Sequence, residues 1–122
     1  MFEKRLIHRV RQAFEAQRDE SDCGPASLAT IINYYGGHVA LERIRLVSGT
    51  TPLGTTMLWL KQAASQFGLI AEAYKATLVD LKKISVPVIL HVVKNGSNLH
   101  FIVCFGKSED QFLIADPAEG VK

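Results

Sequence analysis

Cysteine is scarce in this chain: only two among 122 residues, and they sit in unlike surroundings. Cys23 lies in a turn-rich segment and Cys104 inside an apolar run. Two such thiols cannot form a disulfide framework and fit a reducing compartment better than a secreted one. Paired ligand spacings such as C-x-x-C or H-x-x-x-H are also missing, so no metal is expected. An excess of one sign of charge is nearly absent, 14 Lys and Arg against 12 Asp and Glu giving a formal net charge of +2. The basic residues are scattered apart from Lys4, Arg5, Arg9 and Arg11, which argues against a nucleic-acid binder with its basic stripe or interleaved aromatics. Gly36-Gly37 is not followed by a phosphate-loop lysine, so no nucleotide or other cofactor is expected either. No apolar run approaches the roughly 18 residues of a membrane span. The N-terminal MFEKRLIHRVRQAF is broken by charge every two or three residues, unlike a signal peptide. These absences predict a soluble cytoplasmic domain that does not itself enter a membrane.

What is present is enough for a core, since 48% of the residues are hydrophobic. The length suits one domain over residues 1–122, without repeats or linkers. Leu6, Val10 and Phe14 recur at spacing four within Phe2–Ala16, a basic helix laid on the domain by a thin apolar stripe. Pro25 marks the first turn of the next helix, Leu28, Ile31, Ile32 and Tyr35 continue it, and Gly36-Gly37 stops it. A short helix is expected over Leu41–Val47. A further one, capped by Thr55 or Thr56, is expected over Met57–Phe67 and closed by Gly68. From Leu69 the period changes to two. Strands are predicted at Ile70–Tyr74, Val86–Val93, Leu99–Phe105 and Phe112–Asp116, with a short helical piece near Leu78–Lys83. Turns at Lys94–Ser97 and Gly106–Asp110 join the last three strands into a meander. Helices first and an antiparallel sheet second make an α+β fold.

The chemistry begins at Cys23. A thiol at a helix start meets the positive end of the helix dipole, which favours the nucleophilic thiolate, and Gly24 lets backbone N–H groups approach a bound carbonyl. A nucleophile needs a base. His8 and His38 read as solvated, whereas His91 and His100 lie on consecutive strands. With a two-residue turn at Asn95-Gly96, His91 faces His100. With Gly106 opposite Gln111, His100 lies beside Asp116-Pro117, which would supply the carboxylate that orients the imidazole. Gln17, six residues before Cys23, could donate its side-chain N–H to an oxyanion together with the backbone N–H of Cys23. Each residue alone has an ordinary alternative: an inert buried thiol, a core-edge histidine, a turn aspartate, a surface glutamine. Together they point to a papain-like layout, a helical half carrying the thiol against a sheet half carrying the base.

The ordered motifs Gln17-Arg-Asp-Glu-Ser-Asp-Cys23-Gly-Pro-Ala, Tyr34-Tyr35-Gly36-Gly37, Gly54-Thr55-Thr56, Leu99-His100-Phe101 and Ile114-Ala115-Asp116-Pro117 resemble the bacteriocin-processing, double-glycine peptidases. Those peptidases stand at the N-termini of peptidase-containing ABC transporters. The resemblance runs from about Gln17 to Gly120. It implies a papain-like cysteine peptidase with Cys23 as nucleophile, His100 as base, Asp116 as its orienter and Gln17 as oxyanion donor. It also implies a leader peptide cleaved after Gly-Gly at the cytoplasmic face of a bacterial membrane. The partners would be the precursor's leader segment and the transmembrane and ATPase domains of a parent exporter. On this view the chain is the excised or truncated N-terminal domain of a longer protein. Two departures stand out: Leu99, where many members have Asn before the histidine, and an end soon after Asp116-Pro117. Two other readings share parts of the pattern, a non-catalytic docking domain of an exporter and another papain-like amide hydrolase.

Overall fold

Helix and strand segregate along the chain as the change of period requires. The structure is a computed structural model that describes residues 2–75, 77–83, 87–94, 98–108 and 111–122. Among these, α1 spans Lys4–Ala13, α2 Cys23–Tyr34, α3 Leu41–Val47, α4 Met57–Gln66 and α5 Leu78–Leu81. Strands β1 (Val88–Lys94), β2 (Asn98–Ser108), β3 (Gln111–Asp116) and β4 (Gly120–Val121) follow and pair antiparallel in sequence order. The expected α+β architecture is the one observed.

α2 is the central element. Every residue from Ser21 to Ile32 is buried, the condition of a helix that is apolar all round rather than along one stripe. One side of it, through Cys23, Leu28, Ala29 and Ile32, packs with Ile44 of α3, Leu60, Ala63 and Ala64 of α4, and Phe101 of β2. The other, through Ile31, meets Val10 of α1 with Val103, Phe105, Leu113 and Ala115 of the sheet. The helix ends where Gly36 takes φ +90° and the Gly37 N–H donates to Ile32 O at 2.9 Å, a turn that glycine enters at no steric cost. Thr56 caps α4, its hydroxyl accepting from Trp59 N at 3.2 Å. Thr55 instead donates to Ser48 O at 2.6 Å.

Several expectations are corrected. Ile70–Tyr74 is not a strand; Ile70 is 99% exposed and Tyr74 80%. Its alternating pattern finds no partner strand among the described residues, and a strand without a neighbour has no ladder to form. α5 ends at Leu81. β2 runs on through Gly106–Ser108, which the sequence assigns to a turn, by means of a bulge between Cys104 and Lys107 with Gly106 at φ +141°. β4 was not anticipated: Pro117–Glu119 turns the chain back so that Lys122 N–H donates to Ile114 O at 2.8 Å. Val86, Asn95–Ser97 and Glu109-Asp110 lie outside the described residues.

Both hairpin registers depart from the expected ones, β1–β2 by one residue and β2–β3 by two at the turn and by one beyond the bulge. In β1–β2, Lys94 pairs with Asn98, so His91 opposes Phe101 and Val92 opposes His100. His91 therefore does not face His100. The extra residue between the strands sends the two histidines to opposite sides of the ribbon, and His91 stacks on Phe101 with centroids 4.1 Å apart. In β2–β3, Ser108 rather than Gly106 opposes Gln111, and Val103 opposes Ala115. The next residues along both strands place Asp116 across from Ile102, on the side of the sheet that also carries His100.

The start of α2 is sterically tight. A methyl group at Gly24 would lie 2.6 Å from Thr55 Cγ2 and 3.3 Å from Phe101 Cδ2. Gly24→Ala is expected to cost about 1–3 kcal/mol, the usual range for overpacking. Thr55→Ser should recover part of that loss in the double variant, because it removes Cγ2 and keeps the hydroxyl bonded to Ser48. Denaturant unfolding of the two single variants and the double measures this; a strictly additive double variant would contradict the contact.

Candidate active site

The segment that delivers Cys23 is a short 3-10 turn, Glu20–Asp22, built by its own side chains. Asp19 Oδ1 accepts from Ser21 N at 2.8 Å, and Asp22 Oδ2 accepts from Arg18 N and Asp19 N, each at 3.3 Å. This reciprocal arrangement is a capping box, which sets the direction in which the chain enters a helix. Just upstream, Gln17 N–H donates to Pro117 O at 3.0 Å. The run into Cys23 is thus tied to the residue that follows Asp116. α2 begins at Cys23 itself, with Pro25 in the first turn, where its missing N–H costs nothing. The Cys23 thiol is free and buried.

β2 and β3 bring the second pair of groups together. His100 Nε2 lies 2.7 Å from Asp116 Oδ1, both side chains being about nine-tenths buried. The same oxygen accepts from Ala118 N at 2.9 Å, which holds the carboxylate in place. A neutral imidazole that donates Nε2–H to Asp116 keeps Nδ1 as its acceptor. Phe101, next after His100, belongs to the core cluster of Cys23 and stands against Gly24. Among the described residues no hydrogen bond joins Cys23 Sγ to His100; in unliganded sites such contacts are often long and close only with substrate.

The other candidates separate cleanly. Gln17 is partly buried, and its Oε1 is buried without a hydrogen-bond partner among the described residues. Its amide oxygen thus has acceptor capacity unspent. Cys104 is buried in β2, its Sγ donating to Gly106 O at 3.8 Å, and burial pushes its thiol pKa up. His8 and His38 are exposed, and desolvation lowers the pKa of His91. Among the described residues no group of three or more His, Cys, Asp or Glu could hold a metal ion, and no helix is long and apolar enough to cross a membrane.

Three residues at the site escaped the sequence reading as functional candidates. Thr55 presses its methyl on Gly24. Beyond it a hollow of about 290 Å³ opens between Gly49, Leu53, Thr56 and Trp59. Asp22 is fully buried, and its Oδ1 lies 2.8 Å from Arg45 Nε of α3. The available signal was an aspartate directly before the cysteine. Nothing local in the sequence pairs it with an arginine twenty-three positions on.

The fold and the arrangement of these groups define a papain-like cysteine-peptidase domain. The chain belongs to the Peptidase C39 family, whose model matches residues 11–122. The transport/processing ATP-binding protein ComA of Streptococcus pneumoniae is 41% identical over 114 residues, 92% of this chain and 16% of that protein. The pediocin PA-1 transport/processing ATP-binding protein PedD of Pediococcus acidilactici is 40% identical over 111 residues, 89% of this chain and 15% of that protein. The chain thus spans about a sixth of the length of these relatives. Among solved structures, the peptidase domain of Streptococcus ComA, a bifunctional ABC transporter involved in quorum sensing, superposes with a TM-score of 0.82. The two are 33% identical over 88% of this chain and 82% of that one. A double-glycine-motif protease from an AMS/PCAT transporter, solved with its leader peptide, gives a TM-score of 0.78. It is 34% identical over 88% of this chain and 74% of that one.

The thiols should differ in reactivity. Under native conditions iodoacetamide is expected to modify Cys23 and to spare Cys104, whose raised pKa and strand burial remove both thiolate and access. Cys104 should react once the fold is opened by denaturant. Peptide mapping after each treatment checks this; native labelling of Cys104 ahead of Cys23 would contradict it.

Proposed function

We propose that this chain cleaves leader peptides after a Gly-Gly pair, with Cys23 as nucleophile, and that it works as the single peptidase domain of a longer exporter. The observation that carries the reading is the buried 2.7 Å contact of His100 Nε2 with Asp116 Oδ1, in a domain whose free, buried thiol opens helix α2. It is supported by the double-glycine-motif protease and the processing transporters to which the chain is similar. In the proposed cycle His100 Nδ1 takes the thiol proton as Sγ attacks the glycyl carbonyl carbon, and the carbonyl π pair moves onto oxygen. The resulting oxyanion accepts from Cys23 N–H and the Gln17 amide. His100 then returns the proton to the departing amine as the C–N bond breaks. Water, deprotonated by the same imidazole, hydrolyses the thioester and frees Sγ. Asp116 stays ionised throughout, holding the tautomer and stabilising the imidazolium.

The close approach of Thr55 and Phe101 around Gly24 supports a narrow cleft, and a cleft that admits only hydrogen beside the thiol selects glycine. The leader's apolar anchors would lie in a hydrophobic groove. Transmembrane and ATPase domains of the parent protein would be the other partners, and the cytoplasmic side of the cell membrane the place of action.

The test is cleavage of a synthetic Gly-Gly leader–cargo peptide by the purified chain. Cys23→Ala and His100→Ala are expected to abolish turnover, and His91→Phe, which keeps the ring stack, to preserve it. Gln17→Ala should lower kcat about a hundred- to a thousandfold, as loss of one oxyanion donor does. KM should change little, since the oxyanion exists only after attack. An unchanged kcat for Gln17→Ala would return that residue to an ordinary surface role, and a Cys23→Ala variant that still cuts would remove the thiol mechanism.

A further inference from the structure

An oxyanion bound at the start of α2 needs the first N–H groups of that helix to be open, yet the residue before Cys23 is an aspartate. At that position an aspartate ordinarily folds its carboxylate over those groups as a cap. With Pro25 third in the helix and lacking an N–H, the donor that such a cap reaches is the N–H of Gly24. Asp22 makes no such bond. Its carboxylate turns the other way, Oδ2 accepting from Arg18 N and Asp19 N at 3.3 Å and Oδ1 lying 2.8 Å from Arg45 Nε. The Arg45 contact is a charge pairing rather than a directed hydrogen bond. The carboxylate side chain is 1% exposed, and the arginine that reaches it from α3 is 37% exposed. A second pair, Arg18 with Glu42, ties the same turn to α3.

We propose that Arg45 is a positioning residue that holds the Asp22 carboxylate away from the N-terminus of α2 and so keeps the oxyanion donors open. The proposal rests on the reading of Cys23 as the nucleophile. The two 3.3 Å bonds are long for N–H···O and hold the carboxylate weakly by themselves. A buried carboxylate that loses its cation must find other partners, and the N–H of Gly24, second in the helix, is the one a capping side chain reaches. Once there, it sets a fixed negative charge beside the Cys23 N–H, where a negative charge has to develop. Arg45 thus acts through Asp22 on a group that it does not touch.

Steady-state cleavage of a Gly-Gly leader peptide by the purified chain and its variants decides this. Arg45→Met is expected to lower kcat about a hundredfold, the scale of a lost oxyanion donor, with KM within about twofold because ground-state binding is untouched. The distinguishing result is rescue. Asp22→Ala introduced into Arg45→Met removes the carboxylate that does the blocking, and should raise kcat by about tenfold over Arg45→Met alone, part of that donor's worth. A pair that only braces the fold makes the double variant no faster than the single one, and that outcome overturns the proposal. Thermal melts establish that each variant is folded at the assay temperature. If Arg45→Met does not fold, Arg45→Gln takes its place in the same comparison: a faster double variant with Asp22→Ala supports the proposal, and one no faster than Arg45→Gln alone overturns it. A wild-type chain that leaves the peptide whole removes the reading of Cys23, and this proposal with it.

Discussion

α2 is buried from Cys23 to Ile32, and the arrangement of the site depends on how that helix is seated. Leu28, Ile31 and Ile32 each contribute roughly 1.5–3 kcal/mol by leaving water, and they do so against both the helical layer and the sheet. A helix held on all sides has no freedom to slide along its axis. Its first residue is therefore set against Phe101, which in turn fixes where the next residue back along β2, His100, can stand. The tight contact of Thr55 and Phe101 with Gly24 is the near end of the same constraint. No side chain beyond hydrogen fits there, so the backbone N–H groups of the helix start can come close to a bound carbonyl.

Charge is treated in two ways in this molecule. Lys122 with Glu119 and Arg18 with Glu42 are solvent-exposed pairs, of the kind that contributes little to stability. His100 with Asp116, and Asp22 toward Arg45, are withdrawn from water on at least one side. Removing one partner of such a pair leaves a buried group uncompensated, which costs far more than the pair is worth. Their value is geometric. Each fixes an orientation that a solvated side chain would sample only part of the time, and preorganised dipoles and donors are the usual source of transition-state stabilisation.

The fold was legible where a local signal decides it. Pro25 at the start of α2, glycines at its end, a threonine cap before Met57 and the change of period after Leu69 are all local, and they marked the helices and the three main strands. Ile70–Tyr74 carried the same alternation and is no strand, because a ladder needs a neighbour and alternation is silent about one. β4, two residues long, had too little sequence to announce itself. Both hairpins differ from the local reading in register, β1–β2 by one residue and β2–β3 by one or two on either side of its bulge, since turn length, and with it register, responds to packing of the whole ribbon on α2.

The site divides along the same line. By itself the sequence determined which chemistry was available: a thiol at a helix start, a histidine on one strand, an aspartate before a proline on the next, and a glutamine upstream. It also determined that these residues come from segments of opposite structural type. The sequence also matched Asp116 to His100, but through a register that sets Asp116 opposite Phe101; the tertiary structure decided the register that puts Asp116 on the side of His100 and sends His91 to stack on Phe101. It decided as well that Asp22 turns away from the helix it precedes. That choice depends on Arg45, which reaches the carboxylate through space from α3, and sequence-local rules for helix caps see only the residues on either side.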